Sequence, residues 1–174
     1  MAETIYTKLK KDFHANWVLQ NPKPAFCIIF YRISSFFALH ESKIVKVLGF
    51  PIRVAYRIIV EWVIGVEIPD GVISGGGLTL HHGIGLVLHP DVILGNNVTL
   101  KQNTTIGHKI YFDGSFGGTP IIKDNVTVGP NVVMFGRIVI GENSIIGAGA
   151  VVISDVPPNS VVVGNPARVI KTLI

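Results

Sequence analysis

The chain lacks the features that mark secreted, membrane-spanning and nucleic-acid-binding proteins. Its single cysteine, Cys27, cannot form an internal disulfide, which fits a reducing compartment. The first residues lack the short apolar core of a signal peptide, so we expect a cytoplasmic protein. No run of about 18 uncharged apolar residues is present. The nearest approach, residues 44–68, is interrupted by five charged side chains.

Charged residues are scarce, at 15% of the chain, whereas 48% of its 174 residues are hydrophobic. A chain of this size and composition is expected to form one domain with a substantial core, with or without a small appendage. The net charge of +4 comes from dispersed Lys and Arg residues, so we expect no nucleic-acid partner. A mildly basic protein also suits an anionic cofactor.

Residues 1–65 have helical patterns and are predicted to form an N-terminal helical region. A helix is predicted over 3–18, a second over 24–40 after Pro22 and Pro24, and a third over 42–64 with a break near 49–51. The first helix has an apolar stripe with a spacing of four residues, made by Ile5, Leu9, Phe13 and Trp17.

The apolar faces of these helices have two interpretations. They can pack on the rest of the chain and on neighbouring subunits. Alternatively, because Arg53 and Arg57 share a face of the third helix, they can form a basic amphipathic surface at the inner face of a membrane.

From residue 66 onward the sequence has a period of six. Aliphatic residues recur in two columns, two positions apart, that include Leu88, Leu94, Leu100, Ile106 and Leu80, Leu86, Val92, Val98. A six-residue period is typical of a parallel β-helix built from hexapeptide repeats, in which three repeats close one triangular coil. Gly and Asn recur at the expected corners and tolerate left-handed backbone conformations. We therefore predict a mainly β domain over residues 66–174.

The period is interrupted once, between Ile106 and Ile122, which are 16 residues apart. We predict a glycine-rich loop excursion over about 108–119. A loop that leaves a rigid solenoid is a frequent place for function, although a tolerated insertion or a subunit contact is the alternative. The solenoid is expected to end near 156–158, with residues 164–171 following as a tail.

His82 occupies a position of the aliphatic column and is the main candidate for chemistry. The adjacent His81 would point to the opposite face of the strand. A fully inward histidine would need a buried partner, so we expect the strand to be re-aimed locally, with His82 at a coil edge beside a neighbouring subunit. Glu67, 15 residues earlier, could orient the imidazole so that His82 acts as a general base. The alternatives are a structural histidine and a solvated glutamate.

Several motifs together resemble the serine acetyltransferase family of hexapeptide acyltransferases. They lie at residues 12–15, 31–33, 67–69, 80–85, 98–100, 105–107, 146–152, 156–158 and 164–168. The helical part is shorter than in typical serine acetyltransferases. It is more similar to short relatives from surface-polysaccharide clusters, such as colanic acid acetyltransferases. The resemblance implies a left-handed β-helix with an N-terminal helical cap.

The resemblance also implies site residues. His82 matches the catalytic base and Glu67 the partner carboxylate. Acetyl-CoA would lie in a groove between adjacent subunits of a homotrimer, or of a hexamer made from two trimers, and no metal is expected. Arg168 and Lys171 could meet the coenzyme phosphates. The matching coenzyme-binding residues are Gly107, His108, Pro130, Gly147, Ala148, Gly164, Asn165, Pro166, Ala167, Arg168 and Lys171.

Two departures from the family pattern concern the acceptor. Serine acetyltransferases carry Asp where this chain has His81, and an Arg-His pair where it has Gly118 and Thr119. Because free serine carries both charge signs, their loss favours a neutral polyol such as a sugar. His81, Asp12, Asp113 and Thr119 are the candidate acceptor-side residues, although the two aspartates could be ordinary surface residues.

The favoured function is therefore acetyl-CoA-dependent O-acetylation of a sugar hydroxyl in surface polysaccharide biosynthesis. Serine O-acetylation for cysteine biosynthesis is the alternative within the same class. A metal site of the carbonic anhydrase type, formed from His81, His82 and His108, and a non-catalytic scaffold are more distant alternatives. No acyl-enzyme is expected, because Cys27 lies in the helical region.

Overall fold

The computed structural model describes residues 3–17 and 22–173, in which four α-helices and a π-helix precede fifteen strands. Within these residues, no helix combines the length and the apolar character needed to cross a bilayer. Gly65, with φ of 76°, ends the helical region directly before the first strand. The helices are α1 (Ile5–Trp17), α2 (Pro22–Leu39), α3 (Lys43–Leu48), α4 (Phe50–Tyr56) and the π-helix (Arg57–Ile64).

The strands form three parallel sheets, named here faces A, B and C, that close a triangular solenoid of five coils. Face A contains β1 (Val66–Glu67), β4 (Leu86–Leu88), β7 (Thr105–Gly107), β10 (Val133–Phe135) and β13 (Val151–Val152). Face B contains β2 (Ile73–Ser74), β5 (Ile93–Leu94), β8 (Ile121–Ile122) and β11 (Val139–Ile140). Face C contains β3 (Thr79–His81), β6 (Thr99–Lys101), β9 (Thr127–Val128), β12 (Ile145–Ile146), β14 (Ser160–Gly164) and β15 (Ala167–Thr172).

The two aliphatic columns form the core, as the six-residue period predicts. Every aliphatic member named above is buried, and successive coils place like residues side by side. Leu100, for example, lies beside Val128, which lies beside Ile146. The prediction of a β-helix with hexapeptide repeats is confirmed.

The corner between faces B and C is built from left-handed asparagines. Asn97, Asn125, Asn143 and Asn159 all have φ between 54° and 58°. Each of the first three donates a side-chain hydrogen bond to the amide oxygen of the next, at 2.9–3.0 Å. Asparagine therefore has two roles at this corner, because it tolerates the left-handed backbone and its side-chain amide links neighbouring coils by hydrogen bonds.

The helices cover the open edge of the first coil. In α1 the buried residues are the polar Asp12 and Asn16, whereas Phe13 and Trp17 of the apolar stripe are exposed. Asn16 accepts a hydrogen bond from the Leu80 N–H and donates one to the Leu78 carbonyl. An uncovered strand edge would leave these groups unpaired, so α1 protects the solenoid from edge-to-edge association.

Two coils are longer than the regular spacing. Val87 lies beside Thr105, eighteen positions later, whereas Val66 lies beside Leu86, twenty positions later. The corner between β3 and β4, which contains His82, therefore holds two extra residues. Ile93 lies beside Ile121, twenty-eight positions later, because residues 108–119 leave the solenoid as predicted.

The end of the chain differs from the predicted tail. β14 continues face C beyond residue 158 by pairing with β12, and β15 turns back antiparallel to β14. The turn contains a cis bond between Asn165 and Pro166. Residues 164–171 are therefore part of the sheet, because the paired strands satisfy backbone groups that a free tail would expose to water.

Candidate active site

His82 is exposed at the corner between faces C and A. Strand β3 ends at His81, and His82 has a φ of 68°. Gly83, rather than His82, takes the buried position, with the space for a Cβ bounded by Leu80 and Val66. The two extra residues therefore shift His82 out of the buried aliphatic column. Its exposed position at a coil corner agrees with the expectation that the chain turns His82 away from the core.

The register of face C aligns several predicted coenzyme residues with His82. His81 pairs with Lys101, and the following strands continue this outward-facing row through Gly129 and Gly147. The next position in each coil is a corner residue. These corner residues are His82, Gln102, Pro130, Ala148 and Gly164.

Two glycines leave a flat strip in the middle of this row. A Cβ on Gly129 would approach the Ala148 backbone nitrogen to 2.8 Å, and one on Gly147 would approach the Val163 side chain to 2.6 Å. Only glycine fits these positions without a shift of the neighbouring coil. The strip is bare backbone that an extended ligand chain could approach closely.

Glu67 and His82 do not touch in the described protomer. Glu67 is exposed at the end of β1 on face A, and no hydrogen bond or ion pair joins it to His82 among residues 3–17 and 22–173. The predicted role of Glu67 in orienting His82 stays a prediction.

His81 has a cationic neighbour. Partial burial lowers the pKa of His81, and the charges of Lys101 and His82 lower it further. The side of the corner next to His82 is therefore populated by groups that are basic or neutral.

A second cluster lies at the corner between faces A and B. Gly107 ends β7, and a Cβ added there would meet no atom within 4 Å. The His108 ring packs at 4.7 Å from the ring of His89 and at 4.8 Å from that of Phe116. Face A separates this corner from His82, so one protomer does not bring the two predicted halves of the coenzyme site together.

Comparison with known proteins decides the family. Residues 119–154 match the family described as bacterial transferase hexapeptide (six repeats). The chain is 35% identical over 162 residues to the protein of Escherichia coli K12 named "Putative colanic acid biosynthesis acetyltransferase WcaB", covering 91% of this chain and 96% of the relative. This chain belongs to the hexapeptide-repeat acetyltransferase family.

Serine acetyltransferases are further relatives of this acetyltransferase. That of Bacillus subtilis is 41% identical over 106 residues, 61% of this chain and 48% of the relative. The crystal structure of the Neisseria gonorrhoeae serine acetyltransferase matches 98% of this chain with a TM-score of 0.79 and 31% identity. The chain spans 66% of that structure, and the match confirms the left-handed β-helix with N-terminal helices.

Membership makes this chain an acyltransferase, and its acetyltransferase relatives imply acetyl-CoA as co-substrate. Within the described residues, no three His, Cys, Asp or Glu side chains are grouped closely enough to hold a metal ion.

The excursion of the acetyltransferase forms a small hairpin. Ile110 and Phe116 pair antiparallel, and the Asp113 carboxylate accepts hydrogen bonds from the N–H and hydroxyl of Ser115, which lower its pKa. Thr119 donates its hydroxyl hydrogen bond to the Asp91 carbonyl at 2.8 Å. A cleft of about 510 Å³ lies between hairpin and solenoid, and its lining includes Asp91, Tyr111, Phe116, Thr119 and Arg137.

The coenzyme residues predicted at the chain end lie around the β14–β15 turn. Gly164 has a φ of 99°, and Asn165 and Pro166 are exposed, whereas Ala167 is buried. Arg168 and Lys171 are exposed on β15. Arg168 pairs with Val163, which places it at the end of the face C row farthest from His81.

Asp12 has a structural position instead of an acceptor-side one. It is fully buried, and it accepts hydrogen bonds from Arg32 and from the N–H groups of Gly77 and Leu78. A carboxylate without exposed surface cannot contact an acceptor in this conformation. Its partners come from α2 and from the turn directly before β3, both distant in sequence, so no local sequence pattern indicates this role.

Two residues near the site were not among the sequence candidates. Lys101 stands beside His81, and His89 is one coil before Gly107 and contacts the His108 ring edge to face. Counting eighteen positions back from Gly107 would have found His89. The regular eighteen-residue spacing does not place Lys101 beside His81, because the His82 corner contains two extra residues and the separation is twenty.

Proposed function

We propose that this acetyltransferase transfers an acetyl group from acetyl-CoA to a sugar hydroxyl of a surface polysaccharide or of its lipid-linked precursor. The observation that carries the proposal is the alignment of His82 with the small-residue corner of face C in a chain 35% identical to WcaB along nearly its whole length. The relative's name supports the saccharide class of acceptor.

The coenzyme is proposed to lie along face C. Its thioester would be near His82, its extended arm over the strip at Gly129 and Gly147, and its phosphates near Arg168 and Lys171. Parallel strands are about 4.8 Å apart, so the five steps from β3 to β15 span roughly 24 Å, which suits a long, extended ligand. Arginine at the far end supplies paired donors for phosphate oxygens.

His82 is proposed to act as the general base. Its neutral imidazole takes the proton of the acceptor hydroxyl while that oxygen attacks the thioester carbonyl carbon. A backbone N–H stabilises the oxyanion of the tetrahedral intermediate. The intermediate collapses by breaking its carbon–sulfur bond, and the coenzyme leaves as a thiol after taking the proton from His82. Glu67 would orient the imidazole once the site is assembled.

A neighbouring copy is proposed to complete the site. His82 lies at one corner of the prism, whereas Gly107 and His108 lie at another, across face A. In a homotrimer, the first corner of one subunit can face the second corner of the next, and the coenzyme fits between them. The open space above Gly107 supports this arrangement, because it leaves room for a ligand from outside the protomer.

The acceptor is proposed to be uncharged. The residue before the base is His81, and Lys101 stands next to it, so the position beside the base carries no negative charge for an ammonium group. The cleft under the hairpin combines the rings of Tyr111 and Phe116 with polar groups, a combination that suits a sugar ring. Serine is the second candidate, supported by the 41% identity to the Bacillus subtilis serine acetyltransferase.

Release of free thiol from acetyl-CoA tests the proposal, with a panel of nucleotide sugars and short oligosaccharides compared with serine. Turnover with a sugar and not with serine is expected, and His82→Asn should lower kcat by about 10²–10⁴-fold, the usual contribution of a general base. Asparagine tolerates the left-handed backbone, so this variant should keep the fold. Turnover with serine alone, or full activity of His82→Asn, would overturn the proposal.

A further inference from the structure

The net positive charge of this chain comes from its helical end. Residues 1–65 contain nine basic and four acidic side chains, a net charge of +5. Residues 66–174 contain six basic and seven acidic side chains, a net charge of −1. The solenoid is therefore nearly neutral, and the helices carry the whole excess of positive charge.

The same helices expose large apolar side chains. On the π-helix, Trp62 and Val63 are 73% and 76% exposed, and on α3 Ile44 and Val47 are 72% and 71% exposed. Side chains this large and this exposed are unusual in clusters on a monomer surface, where they mark a contact site.

Apolar and basic side chains occur together on this surface. A groove of about 320 Å³ is lined by Phe50, Val54, Ile58 and Trp62 together with Arg53 and Arg57. On α3, Lys43 and Lys46 are exposed between the apolar side chains. Neither lysine forms an ion pair within the described part of the chain. We call the exposed surface of α3, α4 and the π-helix the helical docking surface.

We propose that the helical docking surface binds an anionic lipid bilayer peripherally. Trp62, Val63 and the apolar residues of α3 would enter the headgroup boundary, while Lys43 and Lys46 meet lipid phosphates. Surface-lying helices combine apolar and cationic side chains in this way, and each cation near an anionic membrane adds to the attraction. The contact would hold the enzyme at the surface where lipid-linked substrates are found, but it does not depend on the acceptor's identity.

A second copy of the chain is the alternative partner for the helical docking surface, but the positive charge of that surface favours lipid. Bringing two surfaces of the same positive sign together is opposed by repulsion, whereas anionic headgroups neutralise both. The net positive charge of the helical end therefore favours binding to an anionic lipid surface over binding to a second copy of the chain.

Flotation of the full-length protein with vesicles tests the proposal, comparing vesicles of phosphatidylcholine alone with vesicles that also contain phosphatidylglycerol. We expect flotation with the anionic vesicles, weakened at high salt because exposed charges are screened. Lys43→Glu combined with Lys46→Glu should weaken binding at least about tenfold. The matched control, Lys109→Glu with Lys123→Glu, makes the same charge change at exposed positions outside the helical region and should bind like wild type.

Trp62→Ser tests the apolar part, with Ile153→Ser, an exposed solenoid position, as its control. Trp62→Ser should reduce flotation while Ile153→Ser does not, and both should keep the wild-type circular dichroism spectrum and thiol release. Wild-type protein that stays with the soluble fraction would overturn the proposal. So would a Trp62→Ser variant with a smaller molecular mass in light scattering, because a second copy would then cover this surface.

Discussion

His82 shows how one residue gains exposure from backbone conformation. Two extra residues at its corner let Gly83 fill the core position, and a left-handed φ of 68° at His82 directs the side chain outward. Histidine, like the asparagines at other corners of this solenoid, is enriched in this conformation relative to other side chains, so the corner can present His82 without a glycine at that position. The sequence singled out His82 as a candidate, but its position in the aliphatic column was misleading because an insertion of two residues is invisible without the register.

His81 carries a prediction at the same scale. Burial lowers its pKa below the ordinary value of 6.5, and Lys101 and His82 act in the same direction. As the pH falls, the unfolded chain takes up this proton before the folded protein does, so the group opposes folding below the ordinary range. NMR titration should give His81 a midpoint below 6.5, and Lys101→Gln should raise it. Lys123→Gln, on another face, serves as control. A midpoint at or above 6.5 would contradict this environment.

The helices and strands differ in how much of them the sequence predicts. The six-residue period predicted the strands and their buried columns, because burial in a solenoid repeats with every coil. The apolar stripe of α1 was a poor guide to its docking face. Its buried residues are Asp12 and Asn16, whose partners are backbone groups of the β3 edge. Such polar docking depends on which strand edge a helix covers, and periodicity carries no information about that.

The asparagine ladder can be tested at the scale of its element. Asn125 accepts a hydrogen bond from Asn97 and donates one to Asn143, at a φ of 58°. Asn125→Ala loses both bonds and strains the backbone, which should lower the free energy of unfolding by about 2–3 kcal/mol. Asn125→Gly loses the bonds but keeps the backbone conformation, so about 1–2 kcal/mol is expected. Denaturant unfolding at equal protein concentration gives both values. A glycine variant less stable than the alanine variant would contradict this account.

The whole molecule is a capped solenoid whose proposed site needs two copies. The first coil is sealed by helices, the glycine strip follows face C, and the second group of predicted coenzyme residues lies across face A. The sequence, through its resemblance, predicted most of these residues. It could not predict which corner of the solenoid each residue occupies, because that depends on coil lengths of eighteen, twenty and twenty-eight residues.

Mixing two inactive variants tests the central claim most directly. His82→Asn removes the base, and Gly107→Trp fills the proposed groove from a position where a protomer has open space. Each variant alone should release thiol from acetyl-CoA at least about 10²-fold more slowly than wild type. Trimers formed by co-expression in equal amounts should recover roughly a quarter of wild-type activity, because an intact His82 corner then faces an intact Gly107 corner at about one interface in four. Mixed trimers that remain inactive, while each variant folds and assembles normally, would contradict the account.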